Sequence, residues 1–562
     1  MMNKQLTAVI AVCSILAAGG LSAQSAGEGT LETRISLGGE SVTISRAGTY
    51  ALSGRLSGGQ VLIDAGKNDR VHLILNGVYI ENPQGAALYA KKAAEITITL
   101  ADGTDNALID GKNYVFPGGD DEAKAALFVK NNLTINGGGI LRVQGNYKNG
   151  IHAKDMLTIT GGVIRVNAVE EALQGGDGVF ISGGMFDLIA GNDGIKSSGA
   201  DTGKGVITLS GGNFSIQAGQ DGIQAENTLI ISGGSYHTVT GGGAANAAKV
   251  NNRPGGDWGA RGWNRNPGIT PGAAVSPDSG SMKAFKAGRE LTVNGGTFTV
   301  DAEDDAFHSN GNLTVKRGTC AIRTGDDAFH ADNNLRIEGG DINILACYEG
   351  LEGKNIVISG GNTGIVSRDD AINAASGSAD GSAAIPGGGR SGVNAVTSAV
   401  CVRITGGTVS ILAGGDGVDA NGDVFLEGGR LYISGPSQGM EGAIEFDGRF
   451  VVSGGALITA GSSLNPASQS TQPVLLVSYT VPCGSGSVIA VKDRAGRTLL
   501  EYTARTGFTA SAFSSPEFKS GETYGVYLDG KKVIDSVLRG MVTAMSDNGG
   551  AYTLRGGGRG WR

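Results

Sequence analysis

Carboxylates recur at a near-constant spacing through the middle of this chain. Asp304-Asp305, Asp326-Asp327, Glu349 and Asp369-Asp370 follow one another at steps of 22, 22 and 21 residues. If each step is one turn of a coiled backbone, equivalent residues stack about 4.7–4.9 Å apart. Seven carboxylates then share four successive turns. Two unit charges about 5 Å apart repel by about 0.8 kcal/mol in bulk water, and by several times that near a protein surface. Such a stack calls for raised pKa values, neighbouring cations or a bound metal ion. Arg323, Lys354 and Arg368 supply only about one positive charge per turn. Calcium suits the remainder, because it accepts six to eight oxygen ligands in flexible geometry. Zinc wants His or Cys, and His308 and His330 alone make a poor set. The seven acids are therefore the expected calcium ligands.

The acids belong to a longer repeated phrase: acidic or polar, Gly or Ala, apolar, polar, small. Its members include Asn149-Gly-Ile-His-Ala153, Glu171-Ala-Leu-Gln-Gly175, Asp193-Gly-Ile-Lys-Ser197 and Asp221-Gly-Ile-Gln-Ala225. Lys283-Ala-Phe-Lys-Ala287, Asp305-Ala-Phe-His-Ser309 and Asp327-Ala-Phe-His-Ala331 continue it. Asp416-Gly-Val-Asp-Ala420 and a weaker Glu441-Gly-Ala443 close the series. The small residue after each acid is expected to let the chain bend and turn the carboxylate outward, since burying it unpaired is costly. The isolated Asp193, Asp221 and Asp416 suit turn residues that bond their own backbone. Lys283 stands in an acid's place, and Lys286, His308, His330 and Glu352 form a polar column beside the ladder. Together with Arg323, Lys354 and Arg368, this column suits a face that holds a polyanionic chain. Trp258 and Trp263, beside Arg261 and Arg265, are candidates for stacking on sugar rings.

Between the phrases lie alternating strands that end in Gly-Gly, such as Leu157–Gly162, Leu229–Gly234 and Ile356–Gly361. Alternation at every second residue is the strand signal and Gly-Gly the turn signal. A unit of about 22 residues with no helical period is one coil of a right-handed parallel β-helix. The fold class is thus all-β, with the apolar residue of each phrase stacked in one inward column. Breaks in the step place excursions at 197–204, 237–281 and 375–399. Residues 24–135 suit an N-terminal cap and first coils, 136–462 the β-helix, 463–548 a C-terminal β module or cap, and 549–562 a mobile tail.

At 562 residues, with 98 glycines, the chain is too long for one ordinary core and too glycine-rich for helices. A stack of repeats escapes the size limit, because each unit buries its face against its neighbours. A net charge of −8 argues against a nucleic-acid partner. Lys4 followed by the apolar run Leu6–Leu21 and small residues near Ala23 marks a signal peptide over residues 1–23. The expected product is a secreted monomer with no transmembrane segment. Cys320, Cys347, Cys401 and Cys483 fit neither a redox nor a zinc spacing and suit small buried hydrophobes.

Tyr50-Ala-Leu-Ser-Gly54, Val71–Gly77, the repeated Ser-Gly-Gly strand ends and Gly325-Asp-Asp-Ala-Phe-His-Ala331 resemble the bacterial secreted carbohydrate-binding domain-containing β-helix family. The resemblance spans roughly 35–530. It implies a fold similar to pectate lyases, polysaccharide binding as in that family's calcium-containing binders of polygalacturonate and cellulose, and calcium at the paired aspartates. Tyr348-Glu349 departs from the paired pattern. Gly325-Asp326-Asp327 is also similar to the Gly-Asp-Asp of polygalacturonases, but the Asn-Thr-Asp, Gly-His-Gly and Arg-Ile-Lys partners of those enzymes are missing. A calcium-dependent lyase with Arg323, Lys354 or Arg368 as base is the enzymatic alternative, and a structural surface protein the third.

Overall fold

The computed structural model describes residues 32–116, 123–247, 280–375, 400–437, 441–462, 467 and 469–550. Within them each coil carries three short strands. Phe307–Ser309 begins one coil with the repeated phrase, Asn312–Val315 follows, and Thr319–Thr324 completes it. Each strand pairs in parallel with its equivalent one coil on. Phe285, Phe307, Phe329 and Leu351 stand in one register, as do Leu291, Leu313, Leu335 and Ile356. The chain is therefore a parallel β-helix with three sheet faces.

Alternation decides what lies inside. In Thr297–Ala302 the side chains run exposed, buried, exposed, buried along the strand. The expected inward column is present: Ile151, Leu173, Ile195, Ile223, Phe285, Phe307, Phe329, Leu351, Ile372 and Val418 are all fully buried. Its middle is an aromatic stack, with Phe285–Phe307 at 4.7 Å and Phe307–Phe329 at 4.9 Å. A second stack on the third face runs Phe186, Phe214, Tyr236, Phe298 at 4.6, 4.8 and 5.0 Å. The two stacks meet edge to face at Phe298–Phe307, 5.4 Å apart. The Gly-Gly turn before each third strand makes room for these rings. Gly234 has φ +102°, and a Cβ there would lie 2.9 Å from the Tyr236 hydroxyl.

The excursion expected from residue 237 starts later. Ser235–Thr240 is an ordinary third strand paired with Thr297–Ala302, because its alternation continues through Thr238 and Thr240, both buried. Residues 248–279 and 376–399 lie outside the described residues, and so do residues 1–23, where a signal peptide is expected, and residues 551–562. The coils already run from Glu32–Leu37, which pairs with Gly48–Ser57. At the other end, Phe508–Ser514 runs antiparallel to the last coil strand Phe450–Ala460 and to Val474–Cys483, which also pairs with Val542–Ser546. A separate antiparallel sheet of Thr498–Thr503, Val488–Lys492, Thr523–Leu528 and Lys531–Val537 lies beside it. Phe508, Phe513, Ile489 and Val526 share a core with Ile458 and Ala460 of the last coil. Cys320, Cys347 and Cys483 are buried thiols, and Cys401 is partly exposed. Among the described residues no helix is long and apolar enough to cross a membrane.

Candidate functional site

The acids line the corner where each third strand turns into the next phrase strand. Their orientation differs from the outward one expected. Asp193, Asp221, Asp305, Asp327 and Asp416 are all at most 3% exposed. For all of these but Asp327, which bonds His330, burial is tolerated because the corner supplies a donor from the following coil. Asp193 Oδ1 accepts the Asp221 amide at 3.0 Å, Asp221 Oδ1 the Lys283 amide at 2.8 Å, and Asp305 Oδ1 the Asp327 amide at 3.1 Å. Asp370 Oδ1 accepts the Asp416 amide at 2.6 Å, and Asp416 accepts the amide of Gly442. These are bonds between coils, not the local turn bonds expected for Asp193, Asp221 and Asp416. The residue after an acid donates onward as well: Gly194 to the Asp221 carbonyl and Ala306 to the Asp327 carbonyl.

The second carboxylate oxygen takes a cation in the upper and central coils. Lys196 Nζ lies 2.6 Å from Asp193, and Lys286 Nζ 3.5 Å from Asp221. Lys283 Nζ lies 2.6 Å from Asp304 and 3.0 Å from Asp305. Oxygens of Asp304, Asp305 and Asp326 do converge within 4.8 Å, but the Lys283 ammonium is bonded to two of the three acids. Burial works against the Asp305 carboxylate, yet Lys283 and His308 hold it well below the usual range. His308 Nδ1 lies 2.8 Å from Asp305, and His330 Nδ1 lies 3.1 Å from Asp327 and 2.9 Å from Glu352. Burial opposes charge on His330, but Asp327 and Glu352 outweigh it and push its pKa up to about 11.

Lys283, Lys286, His308 and His330 were expected to face a polyanion. Instead they turn back onto the acids, with side chains 12–22% exposed. A long basic side chain beside a buried carboxylate gains more from that pair than from water. Arg323 and Arg368 are exposed and Lys354 half-buried, so these three remain open to a ligand. Trp258 and Trp263 lie outside the described residues.

The lower coils differ: among the described residues no lysine or arginine is bonded to the Glu349, Asp370, Asp416 or Asp419 side chain. Burial, followed by repulsion from Glu352, Asp370 and Asp369, pushes Glu349 up to about 8 despite the Asn373 hydrogen bond. Burial and Asp369 and Asp419 raise Asp370 to about 7. Burial, with Asp370, Glu445 and Glu441, raises Asp416 to about 9. Burial and Glu445 raise Asp419 to about 6. Oxygens of Asp416, Glu441 and Glu445 converge within 4.8 Å. Glu441 and Glu445 escape a reading by acid pairs. The register that stacks Asn373, Asp419 and Glu445 in one outward column is the signal that finds Glu445. An all-oxygen donor set without a competing ammonium or imidazole suits calcium better than the central rungs do. A second concavity, of about 430 Å³, lies on the third face along Arg165, Met185, Asp187, Phe214, Ser215 and His237.

Comparison with known proteins places this geometry. A curated "Carbohydrate-binding domain-containing protein" of Acetivibrio thermocellus is 40% identical over 135 residues, which is 24% of this chain and 47% of that protein. The chain thus matches about half the length of that relative. A solved structure described as the polysaccharide lyase-like protein from C. thermocellum, gadolinium derivative, is 38% identical, with 36% of this chain and 83% of that chain covered and a TM-score of 0.36. The family described as "Carbohydrate-binding domain-containing protein" matches residues 38–328 and 326–460. Those matches span well over half of the sequence, and the chain belongs to that carbohydrate-binding family.

Proposed function

We propose that the chain is an exported binder of acidic polysaccharide, of the pectin or polygalacturonate type, which uses calcium at the acidic end of its corner ladder. Family membership supports polysaccharide binding in general. The observation that carries the finer reading is the convergence of Asp416, Glu441 and Glu445 with no basic side chain bonded to them among the described residues. Asp370 and Asp419 extend the cluster toward the outward column. Calcium there would neutralise the acids and accept further oxygen ligands from uronate carboxylates. Exposed Arg323 and Arg368 would pair with carboxylates further along the polymer. Asp416 itself is fixed by its bond to the Gly442 amide, so it holds one oxygen in place whether or not an ion is bound.

Pull-down on polygalacturonate, with calcium and with chelator, tests this. Retention should require calcium and weaken in Asp416→Asn and Glu445→Gln by more than the roughly 10–100-fold typical of losing a residue that only supports a metal ligand. Ultraviolet absorbance and reducing ends are followed in parallel. Appearance of an unsaturated product would replace the binder with a lyase, and new reducing ends would replace it with a hydrolase. Failure to retain any glycan would leave a structural surface protein.

A further inference from the structure

The central coils hold a donor set of another kind. His330 Nδ1 faces two carboxylates at once, Asp327 Oδ2 at 3.1 Å and Glu352 Oε2 at 2.9 Å. An imidazole nitrogen carries at most one hydrogen. That proton is shared between two oxygens, and burial drives Asp327 toward its protonated form, bonded to Glu352; a divalent cation would replace these protons and serve all three atoms together. Ligands about 2.0–2.2 Å from a tetrahedral zinc-class ion lie about 3.3–3.6 Å from one another. The two nitrogen–oxygen separations, 3.1 and 2.9 Å, fall short of that edge by a few tenths of an ångström, which rotation of the partly exposed His330 and Glu352 side chains supplies.

The backbone holds this triangle rigidly. His330 and Glu352 are register partners on adjacent parallel strands, and Asp327 sits at the buried corner three residues before His330. The far ring nitrogen of His330 lies 3.2 Å from Asp332 Oδ1. A carboxylate on the second nitrogen of a metal-binding histidine fixes its tautomer and orientation and strengthens it as a ligand. The coil before offers a control within the molecule. His308 stacks on His330 with ring centroids 4.7 Å apart and bonds Asp305 in the same way. There the Lys283 ammonium, 3.0 Å from Asp305, already supplies the positive charge. Among the described residues no lysine or arginine pairs with Asp327 or Glu352.

We propose that Asp327, His330 and Glu352 form a site for one zinc-class divalent ion, oriented by Asp332 and distinct from the all-oxygen calcium cluster at Asp416. Mixed nitrogen and oxygen donors select such an ion over calcium, which takes oxygen ligands. Three protein ligands leave a fourth position free. The His330 and Glu352 side chains are 22% and 27% exposed, so solvent or a ligand oxygen reaches it. The site does not depend on glycan binding.

The test uses tag-free full-length protein freed of metal with chelator. Calorimetric titration with zinc chloride should give one equivalent that a large excess of calcium does not displace. Cobalt(II) in the same site should show visible absorption bands from a histidine-ligated, low-coordinate ion. Glu352→Gln and His330→Gln should abolish both signals, and Asp332→Asn should weaken zinc by about 10–100-fold. Asp416→Asn should leave zinc uptake unchanged. Circular dichroism of each variant separates lost ligation from lost folding. The proposal is overturned if folded Glu352→Gln and His330→Gln bind zinc as the native chain does, or if calcium competes on equal terms.

Discussion

Asp305 shows how much one side chain does at the corner. Its two oxygens take the Asp327 amide, the Lys283 ammonium and the His308 ring, all within 3.1 Å. Asp305→Ala strips the Asp327 amide and the His308 ring of their acceptor and leaves the Lys283 ammonium with Asp304 alone, and removal of one member of a buried pair typically costs about 3–5 kcal/mol. Urea unfolding should show a loss of that size, and a loss under 1 kcal/mol (about the worth of an exposed pair) would mean that water replaces the carboxylate. The stacking of the acids is visible in the sequence as a constant step, and so is the presence of Lys283 in an acid's place. What it hides is direction. Whether a carboxylate at a bend points out or in depends on donors offered by the next coil, and those are backbone amides, which leave no mark in residue type. The same blindness makes the basic column look available when Lys286, His308 and His330 are already engaged.

At the scale of the strand stack, three-residue phrase strands and their Gly-Gly turns are legible, because inward and outward residues alternate without exception over the inward column. The late start of the large excursion is less so, since Ser235–Thr240 mixes polar residues into both faces. The stack also ties acidity to stability. Glu349, Asp370 and Asp416 titrate near 8, 7 and 9 in the folded chain, against about 4 when unfolded. Between those values the folded chain holds protons that the unfolded chain has released, so stability falls as pH rises through that window. In chelator the melting temperature should fall steadily from about pH 5 to pH 9. Asp416→Asn, which keeps an oxygen for the Gly442 amide, should flatten the fall. Calcium should restore more at pH 8 than at pH 5. A melting curve that is flat or rises with pH would show that the acids are compensated by something else.

The whole molecule is a stack with a defined end. Parallel coils leave an unpaired strand edge on the last turn, and such an edge recruits other chains. Here Phe508–Ser514 pairs antiparallel with Phe450–Ala460, and a separate core buries Ile458 and Ala460. A chain truncated after residue 462 should therefore associate. Size-exclusion chromatography with light scattering should find oligomers or aggregate, and a monodisperse truncated monomer would show that this module is dispensable for closure. The change of composition after residue 462 marks the module in the sequence, but its antiparallel seam with the last coil is a tertiary choice that local pattern does not encode.

The bonds that Asp193, Asp221, Asp305, Asp370 and Asp416 accept from amides of the following coil all run one way along the stack. A lesion in the ladder should therefore have a downstream side. Losing the Asp305 carboxylate strands the amide of residue 327, not that of residue 305. Hydrogen exchange on Asp305→Ala should accelerate first at Asp327 and its neighbours toward the C-terminus, while the coil before, still held by Asp221 through the Lys283 amide, keeps its protection. A spiral whose coils look alike from the side would then have a mechanical grain wherever such a bond links one turn to the next.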